Sequence, residues 1–532
     1  MGRCGVVLAE PVAKRSIMTG VLAITWGLTL LITAALDLLA KPQVAPWRSR
    51  PAGSIALHLA SVTGLYLLFF ALSGRASFTL ICTTGLFGAL VVVNNAKFSA
   101  LREPVVFSDL ALFVQSIRHP RLYFPYLSWT QLLAVVPGIL FFVLTFSLDS
   151  KLNFVPIWLL GLGWAALFWF QVWLARGLAL TLDPARDQAQ HGFFCVFVAY
   201  LLNGLSLRER DQVQVQFTAS PYANIGIKTS VKSNRDADAA PDVVVVQSES
   251  FFDIRKLGLK LMPDVLKNFD ALKQSGICAG ELVVPAWGAN TMRTEHAFLS
   301  GLSNSALRYA GFYPYAFVSR QTPAMPQAFR AQGYRCLTVH PYATDFFLRD
   351  KVFPRLGFDE FVDEAQFNGA LRAGPYVSDE AVTDYLIRRL DQSTSQPQFM
   401  FVITMENHGP FHLEKATDSE VGALYERPNG LAIDDLTVYL RHLANASKML
   451  GRLQDFLVQR QRKTLLCFYG DHVPSMGHVY DTLKASPERS DYLLWANYET
   501  DHVHRLALEA KCLTPELLGL ELARVAGVVK RV

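Results

Sequence analysis

Apolar positions are spread unevenly along this chain. Long uncharged runs fill the stretch before residue 207, and short β-branched runs alternating with helical spacing fill the remainder. A helix needs about 20 apolar residues to cross the hydrocarbon core of a bilayer. Five stretches suit that role, near Ile17 to Ala40, Ile55 to Ser73, Phe78 to Asn95, Leu132 to Phe146 and Phe154 to Ala175. The fourth is the shortest and carries Pro137. Five such runs in succession are rare in water-soluble folds, so residues 1–207 are expected to form a helical transmembrane region of about five spans. Ser99 to Tyr126 mixes Leu, Val and Phe with Arg102, Asp109, Arg118 and Arg121, the pattern of a helix lying in the interface. His191 to Leu207 is apolar but short, and reads as interfacial, re-entrant or a sixth span. From Glu209 to Ala240 the chain turns polar and loses periodicity, so 208–240 is expected to be a linker.

Residues 241–532 carry the alternation of an α/β domain. Val243 to Val246, Cys278 to Val284, Cys336 to Val339, Phe399 to Thr404 and Thr464 to Tyr469 are continuous apolar runs separated by helical patterns. Strands of that kind belong to a mostly parallel sheet flanked by helices on both faces. Polar groups follow each strand: Gln247-Ser248-Glu249, Gly288-Ala289-Asn290-Thr291, His340, Glu406-Asn407-His408 and Gly470-Asp471-His472. Ligands of open α/β sheets bind at the carboxyl edge of the strands, which is where these groups fall.

Composition narrows the class. Hydrophobic residues are 51% and charged ones 18%, which agrees with a membrane half joined to an ordinary globular half. The net charge of +5 has no basic run behind it, so a nucleic-acid partner is excluded. The seven cysteines form no CxxC pair, which argues against a thiolate zinc cluster. Cys278, Cys336, Cys467 and Cys512 lie in the second half, where an oxidising compartment would permit pairing. Counting Lys and Arg in the loops with the N-terminus inside gives the bias opposite to the positive-inside rule, so topology needs other grounds.

Glu249, Asp471 and His472 offer two carboxylates and an imidazole, a mixed O/N set suited to Mn²⁺ or Zn²⁺. Thr291 opens a helix running toward Leu302. A threonine there is a good cap, but a helix N-terminus beside a cation also favours the alkoxide, which makes a weak nucleophile usable. Thr294 is the local competitor and is expected to project away from the strand ends; Glu295 either orients the turn or is a plain first-turn carboxylate. His408 is a candidate for binding phosphoryl oxygens or protonating a leaving alkoxide. Arg349 either clamps a phosphate or forms a surface ion pair with Asp350. His340 and His478 are weaker candidates for a rim or second-metal role, and His296 and His412 carry no assignment.

At these positions the chain resembles the lipoteichoic acid synthase and phosphoglycerol transferase family of the alkaline phosphatase and sulfatase superfamily. The matching pieces are VVVVQSESFF (Val243 to Phe252), GANTMRTEHAF (Gly288 to Phe298), FFLRD (Phe346 to Asp350), TMENHGPF (Thr404 to Phe411) and YGDHV (Tyr469 to Val473), with Arg102-Glu103-Pro104 and Asp109 in the membrane half. The resemblance implies five spans in a bacterial inner membrane with the catalytic domain, 241–532, on the outer or periplasmic face. It implies that Glu249, Thr291, Asp471 and His472 hold one divalent ion, Mn²⁺ by preference over Zn²⁺ or Mg²⁺, with Thr291 also the nucleophile. It makes His408 and Arg349 head-group contacts, with Phe347 lining the substrate site; His340 is counted with them as a rim candidate. Phe347 stands where the family has Trp, and Asn290 where it has Lys, so donor and acceptor can differ from those of the teichoic acid enzymes. The implied reaction moves phosphoglycerol or phosphoethanolamine from phosphatidylglycerol or phosphatidylethanolamine, by way of a phosphothreonine-type intermediate, onto a surface or periplasmic glycan. The rival reading is a metal-dependent phosphodiesterase or sulfatase-like hydrolase on the same scaffold. A sulfatase would need Cys or Ser in a C/S-x-P-x-R setting, and Thr291 does not supply one.

Overall fold

A computed structural model describes residues 6–111, 118–119, 141–152, 157–223, 240–392, 394–427, 433–500 and 512–529. The chain divides into two compact units, Met1–Glu209 and Arg210–Val532.

In the first unit the helices Val6–Asp37, Ala52–Ser73 and Ala76–Leu101 follow one another. Among the described residues, three segments are long and apolar enough to cross a membrane, Met18–Asp37, Ala52–Ser73 and Ala76–Leu101. The expected fourth span lies outside the described residues up to 140. The helix Ile157–Gly177 covers most of the expected fifth and exposes Trp158, Trp169 and Trp173. Outward-facing Leu31 and Leu72 show the same all-round apolarity, as a lipid-facing helix requires. Polar groups turn inward instead: Asp37 and Arg50 form a fully buried pair at 2.6 Å, and Asp37 also accepts from the Phe194 amide. The run His191 to Leu207 contains a helix only over Phe193–Gly204. At 12 residues it is about 18 Å long, too short for a bilayer core. Phe193 to Tyr200 are eight successive buried side chains, so this segment is apolar because it packs inside its unit.

The second unit is built on an eight-stranded sheet in the order β10-β2-β9-β8-β1-β7-β3-β4. The strands are β1 (Asp242–Ser248), β2 (Cys278–Val283), β3 (Arg335–Val339), β4 (Glu360–Val362), β7 (Gln398–Ile403), β8 (Thr464–Gly470), β9 (Arg489–Ala496) and β10 (Cys512–Leu513); β5 (Arg372–Ala373) and β6 (Tyr376–Val377) form a separate hairpin. The sheet is parallel from β8 to β4, and β9 runs antiparallel between β8 and β2. Two reversals leave β2 parallel to β8, so its carboxyl end falls on the same edge as those of β1, β7 and β8.

Every residue of β1, β7 and β8 is buried, because helices cover both faces. The alternation is visible in β8. Phe468 meets Phe251 at 4.7 Å on one face, and Tyr469 stacks on Phe298 at 4.8 Å on the other. On the Phe468 face the long helix Asp434–Gln459 buries Leu436, Leu440, Leu443, Leu450, Leu453 and Leu457 at helical spacing. The described cysteines are all free.

Gly470 ends β8 where no side chain fits: a Cβ there would lie 1.8 Å from the carbonyl oxygen of Phe251. The obstacle is backbone, so Gly470→Ala must part β8 from the residues after β1. We expect a loss of about 3 kcal/mol of stability, at the upper end of overpacking costs, measurable as a lower denaturation midpoint.

Candidate metal centre and active site

Strand register alone brings the central acids together. Ser248 of β1 pairs with Gly470 of β8, so the next residues, Glu249 and Asp471, leave neighbouring strands side by side. Asp471 Oδ1 accepts from the amides of Ser250 (2.8 Å) and His472 (2.9 Å), which orients the carboxylate. Ser250 takes a left-handed backbone (φ 51°) to present its amide. With Nδ1 bonded to the Val473 carbonyl at 3.0 Å, the His472 ring turns Nε2 toward the carboxylates, and the neutral tautomer presents it as a ligand atom. That Nε2 lies 3.3 Å from Asp471 Oδ2 and 3.4 Å from Glu249 Oε1. All three side chains are buried, and their ligating atoms lie within 4.8 Å of one another.

Asp471 Oδ2 and His472 Nε2 are buried acceptors that no hydrogen bond from the described residues satisfies. Glu249 Oε1 beside them accepts from Ser250 Oγ at 3.0 Å, but the two unsatisfied acceptors and this carboxylate repel unless a cation or a proton sits among them. Two carboxylate oxygens and one imidazole nitrogen suit a divalent ion of the Mn²⁺ or Zn²⁺ kind, so the residues present fit the expected group. Burial first, then the neighbouring Asp471 carboxylate, pushes Glu249 up to about 8. A cation entering below that pH displaces a proton from Glu249.

Thr291 is the first residue of the helix Thr291–Ser300 and is buried. Asn290 before it is left-handed (φ 64°), a conformation Asn tolerates better than most residues. One turn on, Thr294 Oγ1 donates to the Asp471 carbonyl at 2.7 Å. The expectation that Thr294 points away from the strand ends is therefore corrected. It fastens the helix to the end of β8, and its hydroxyl is occupied in doing so.

Arg349 and Glu295 are not surface groups. Arg349 holds Glu295 in a two-pronged pair, Nε to Oε1 at 3.0 Å and Nη2 to Oε2 at 2.9 Å, with both side chains excluded from water. Tyr315 (2.6 Å) and Gln247 (3.2 Å) also donate to Glu295, so a buried carboxylate is satisfied from four directions. The alternative of an Arg349–Asp350 surface pair is not what forms. Arg349 Nη1 donates to His340 Nε2 at 3.1 Å, and His340 Nδ1 donates to the Ile403 carbonyl at 3.2 Å. Burial first, then the guanidinium, holds His340 well below its ordinary value, so it is neutral and serves to seat Arg349. Phe347 lies under Arg349 with its ring centre 5.3 Å from the guanidinium carbon. Phe347 and Leu348 are both left-handed (φ 57° and 62°), a strained arrangement for bulky residues that recurs at functional sites.

His408 is half-buried and donates from Nδ1 to the Gly409 carbonyl at 2.6 Å, with the Tyr376 hydroxyl 3.2 Å from the same nitrogen. Burial lowers its pKa, and the Asp471 carboxylate opposes that fall, so the ring is neutral with Nε2 as its acceptor. A neutral ring has no proton to give a leaving group at rest, which favours acceptance of a proton or a hydroxyl over the donor role. His478 is exposed, with Nε2 3.6 Å from Asp435 Oδ2, and is not part of the Glu249–Asp471–His472 group. Two neighbours, Glu406 and Asn407, were named at the strand end but given no role. Asn407 is buried, with neither amide atom hydrogen-bonded among the described residues. Glu406 is anchored from a distant helix that no local pattern announces.

Residues 241–520 match the family described as Sulfatase, just over half of the chain, and the chain belongs to that family. The capsular polysaccharide biosynthesis protein RkpI of Rhizobium meliloti is 27% identical over 445 residues, 80% of this chain and 78% of that one. A putative cyclic β-1,2-glucan modification protein of the same organism is 31% identical over 244 residues, 46% of this chain and 37% of its own length. Among solved structures, the phosphoglycerol transferase GacH of Streptococcus pyogenes in complex with sn-glycerol-1-phosphate has a TM-score of 0.45 and 22% identity, covering 60% of this chain and 81% of that one.

Proposed function

We propose that this chain is a multi-pass inner-membrane transferase with its catalytic domain on the periplasmic face. It moves a phosphoglycerol or phosphoethanolamine group from a glycerophospholipid to a glycan hydroxyl through a covalent intermediate on Thr291. The observation that carries this reading is the buried Glu249–Asp471–His472 cluster, with two unsatisfied acceptors, fastened through Thr294 to the helix that Thr291 begins. A relative involved in capsular polysaccharide synthesis and another in glucan modification support a glycan acceptor. The apolar N-terminal helices anchor the enzyme in the bilayer that supplies its donor.

Glu249, Asp471, His472 and Thr291 would hold the divalent ion, which when bound draws charge from the phosphoryl oxygens and the threonine hydroxyl. The first transfer forms a bond between Thr291 Oγ1 and phosphorus and breaks the bond from phosphorus to the diacylglycerol oxygen. The threonine proton passes to that oxygen, carried by His408 Nε2. The second transfer reverses the roles: a glycan hydroxyl gives its proton to His408 and attacks phosphorus in line, the bond from Thr291 Oγ1 to phosphorus breaks, and His408 returns the proton to Thr291 Oγ1. Arg349, seated by Glu295 and His340, keeps a fixed positive charge beside the transferred group.

Intact-mass analysis after incubation with either lipid tests this directly. We expect the mass of one head-group phosphate on the wild-type protein, its loss in Thr291→Ala and its retention in Thr291→Ser. The mass added names the donor. Diacylglycerol released at the same rate with and without glycan, and no adduct, would make the enzyme a hydrolase instead.

A further inference from the structure

The loop that carries His408 is tied at both ends to one side chain. Glu406, just before His408, and Glu414, just after the short helical turn Phe411–Leu413, both reach His442 on the helix Asp434–Gln459. His442 Nδ1 lies 2.9 Å from Glu406 Oε1, and Nε2 lies 3.0 Å from Glu414 Oε1. Ionised carboxylates only accept hydrogen bonds, so a ring bonded to one on each side donates from both nitrogens and is an imidazolium. Glu406 is further fixed by Asn445 Nδ2 at 2.7 Å and by the Asp379 amide at 2.6 Å, in the first turn of the helix Asp379–Asp391. Glu414 is held on its outer side by Arg441, which also pairs with Glu420. The remaining titratable neighbour among the described residues is Asp379, whose buried carboxyl has no hydrogen-bond partner there and, through burial and then Glu406, is pushed far above the ordinary carboxylate range.

We propose that His442 is a positioning residue. Its imidazolium clasps the two ends of the segment 406–414 and holds His408 toward the Glu249–Asp471–His472 cluster. The catalytic half of this inference rests on the role given to His408 above. Burial pulls His442 down, but the bonds to Glu406 and Glu414 outweigh it and raise the group to about 9. With the folded value above the ordinary 6.5, the clasp is complete at neutral pH and opens only as pH rises through about 9.

The test compares wild type with Glu414→Ala, which frees one end while leaving Glu406 paired, and with His442→Phe, which frees both. Each full-length protein is followed by deuterium uptake in the segment 405–414 at pH 7.5, by Mn²⁺ affinity, and by kcat and KM for head-group transfer from the lipid donor. In Glu414→Ala we expect faster uptake in that segment and kcat lower by roughly 10- to 100-fold, the usual range for residues that orient a catalytic side chain. KM and Mn²⁺ affinity stay at the wild-type level, and Glu414→Gln, which keeps an acceptor for Nε2, recovers part of kcat. Wild-type uptake in Glu414→Ala overturns the clasp. Faster uptake with unchanged kcat overturns the positioning role. A wild-type protein that transfers nothing from either lipid sinks the transferase reading alone, because the uptake measurement needs no substrate and still decides the clasp. Should His442→Phe fail to fold, Glu414→Ala carries the comparison.

Discussion

Purified Asp471→Asn protein is expected to lose Mn²⁺-dependent thermal stabilisation and catalysis together. Asp471 Oδ1 is fully engaged by two amides, and only Oδ2 faces the cluster. An amide in place of the carboxylate removes one charge and sets a neutral group against the cation. At a concentration a hundred times its dissociation constant, an ion that binds only the folded protein stabilises it by about 2.7 kcal/mol. Wild type should show that shift in a thermal scan and the variant should not. Metal-ion stabilisation of transition-state charge is worth several kcal/mol, so turnover should fall on the order of a thousandfold. The shift should also depend on pH. Metal-free Glu249 titrates near 8, so Mn²⁺ competes with a proton below that value and binds more tightly as pH climbs from 6 to 8. A variant that keeps the wild-type Mn²⁺ shift would mean that the ion, if one binds, sits elsewhere.

The second large effect concerns Arg349. A phosphate clamp at the rim of a site can be removed with a loss of substrate affinity and little loss of stability. The Arg349–Glu295 pair predicts otherwise, because both side chains are cut off from water. Arg349→Ala strands the Glu295 carboxylate with only Tyr315 and Gln247 to satisfy it. Breaking one side of a buried pair costs about 3–5 kcal/mol. In a domain of this size that lowers Tm by on the order of 10 °C. Replacing both partners, as in Arg349→Met with Glu295→Gln, should restore much of the stability, since no charge is left unpaired. The double variant should still be inactive if the guanidinium also meets the transferred phosphate. Unchanged Tm in Arg349→Ala would show that the pair is not buried in solution.

Much of the site could be read from the chain because strand ends are local events. An apolar run followed by Gln-Ser-Glu or Gly-Asp-His marks both a strand and the group that leaves it, and a parallel sheet must bring such ends to one edge. Glu249, Asp471 and His472 needed no more than that. β9 went unread because its Arg489–Ala496 run opens on the polar Arg489-Ser490-Asp491, and no run of catalytic polar groups follows it. Thr294 was misjudged because helix phase against a neighbouring strand depends on how the helix docks, which periodicity alone does not specify.

What the amino-acid order determined by itself was the division into an apolar half and an α/β half, the parallel core, and the residues offered at its carboxyl edge. These follow from hydrophobic periodicity and strand polarity, which act over a few residues. Tertiary structure alone decided who partners whom: that Arg349 answers to Glu295 and His340, that Thr294 grips Asp471, and that His442 joins Glu406 to Glu414. Such pairings arise where segments distant in sequence pack together. There the cost of burying a charge is met only by a partner the chain cannot name in advance.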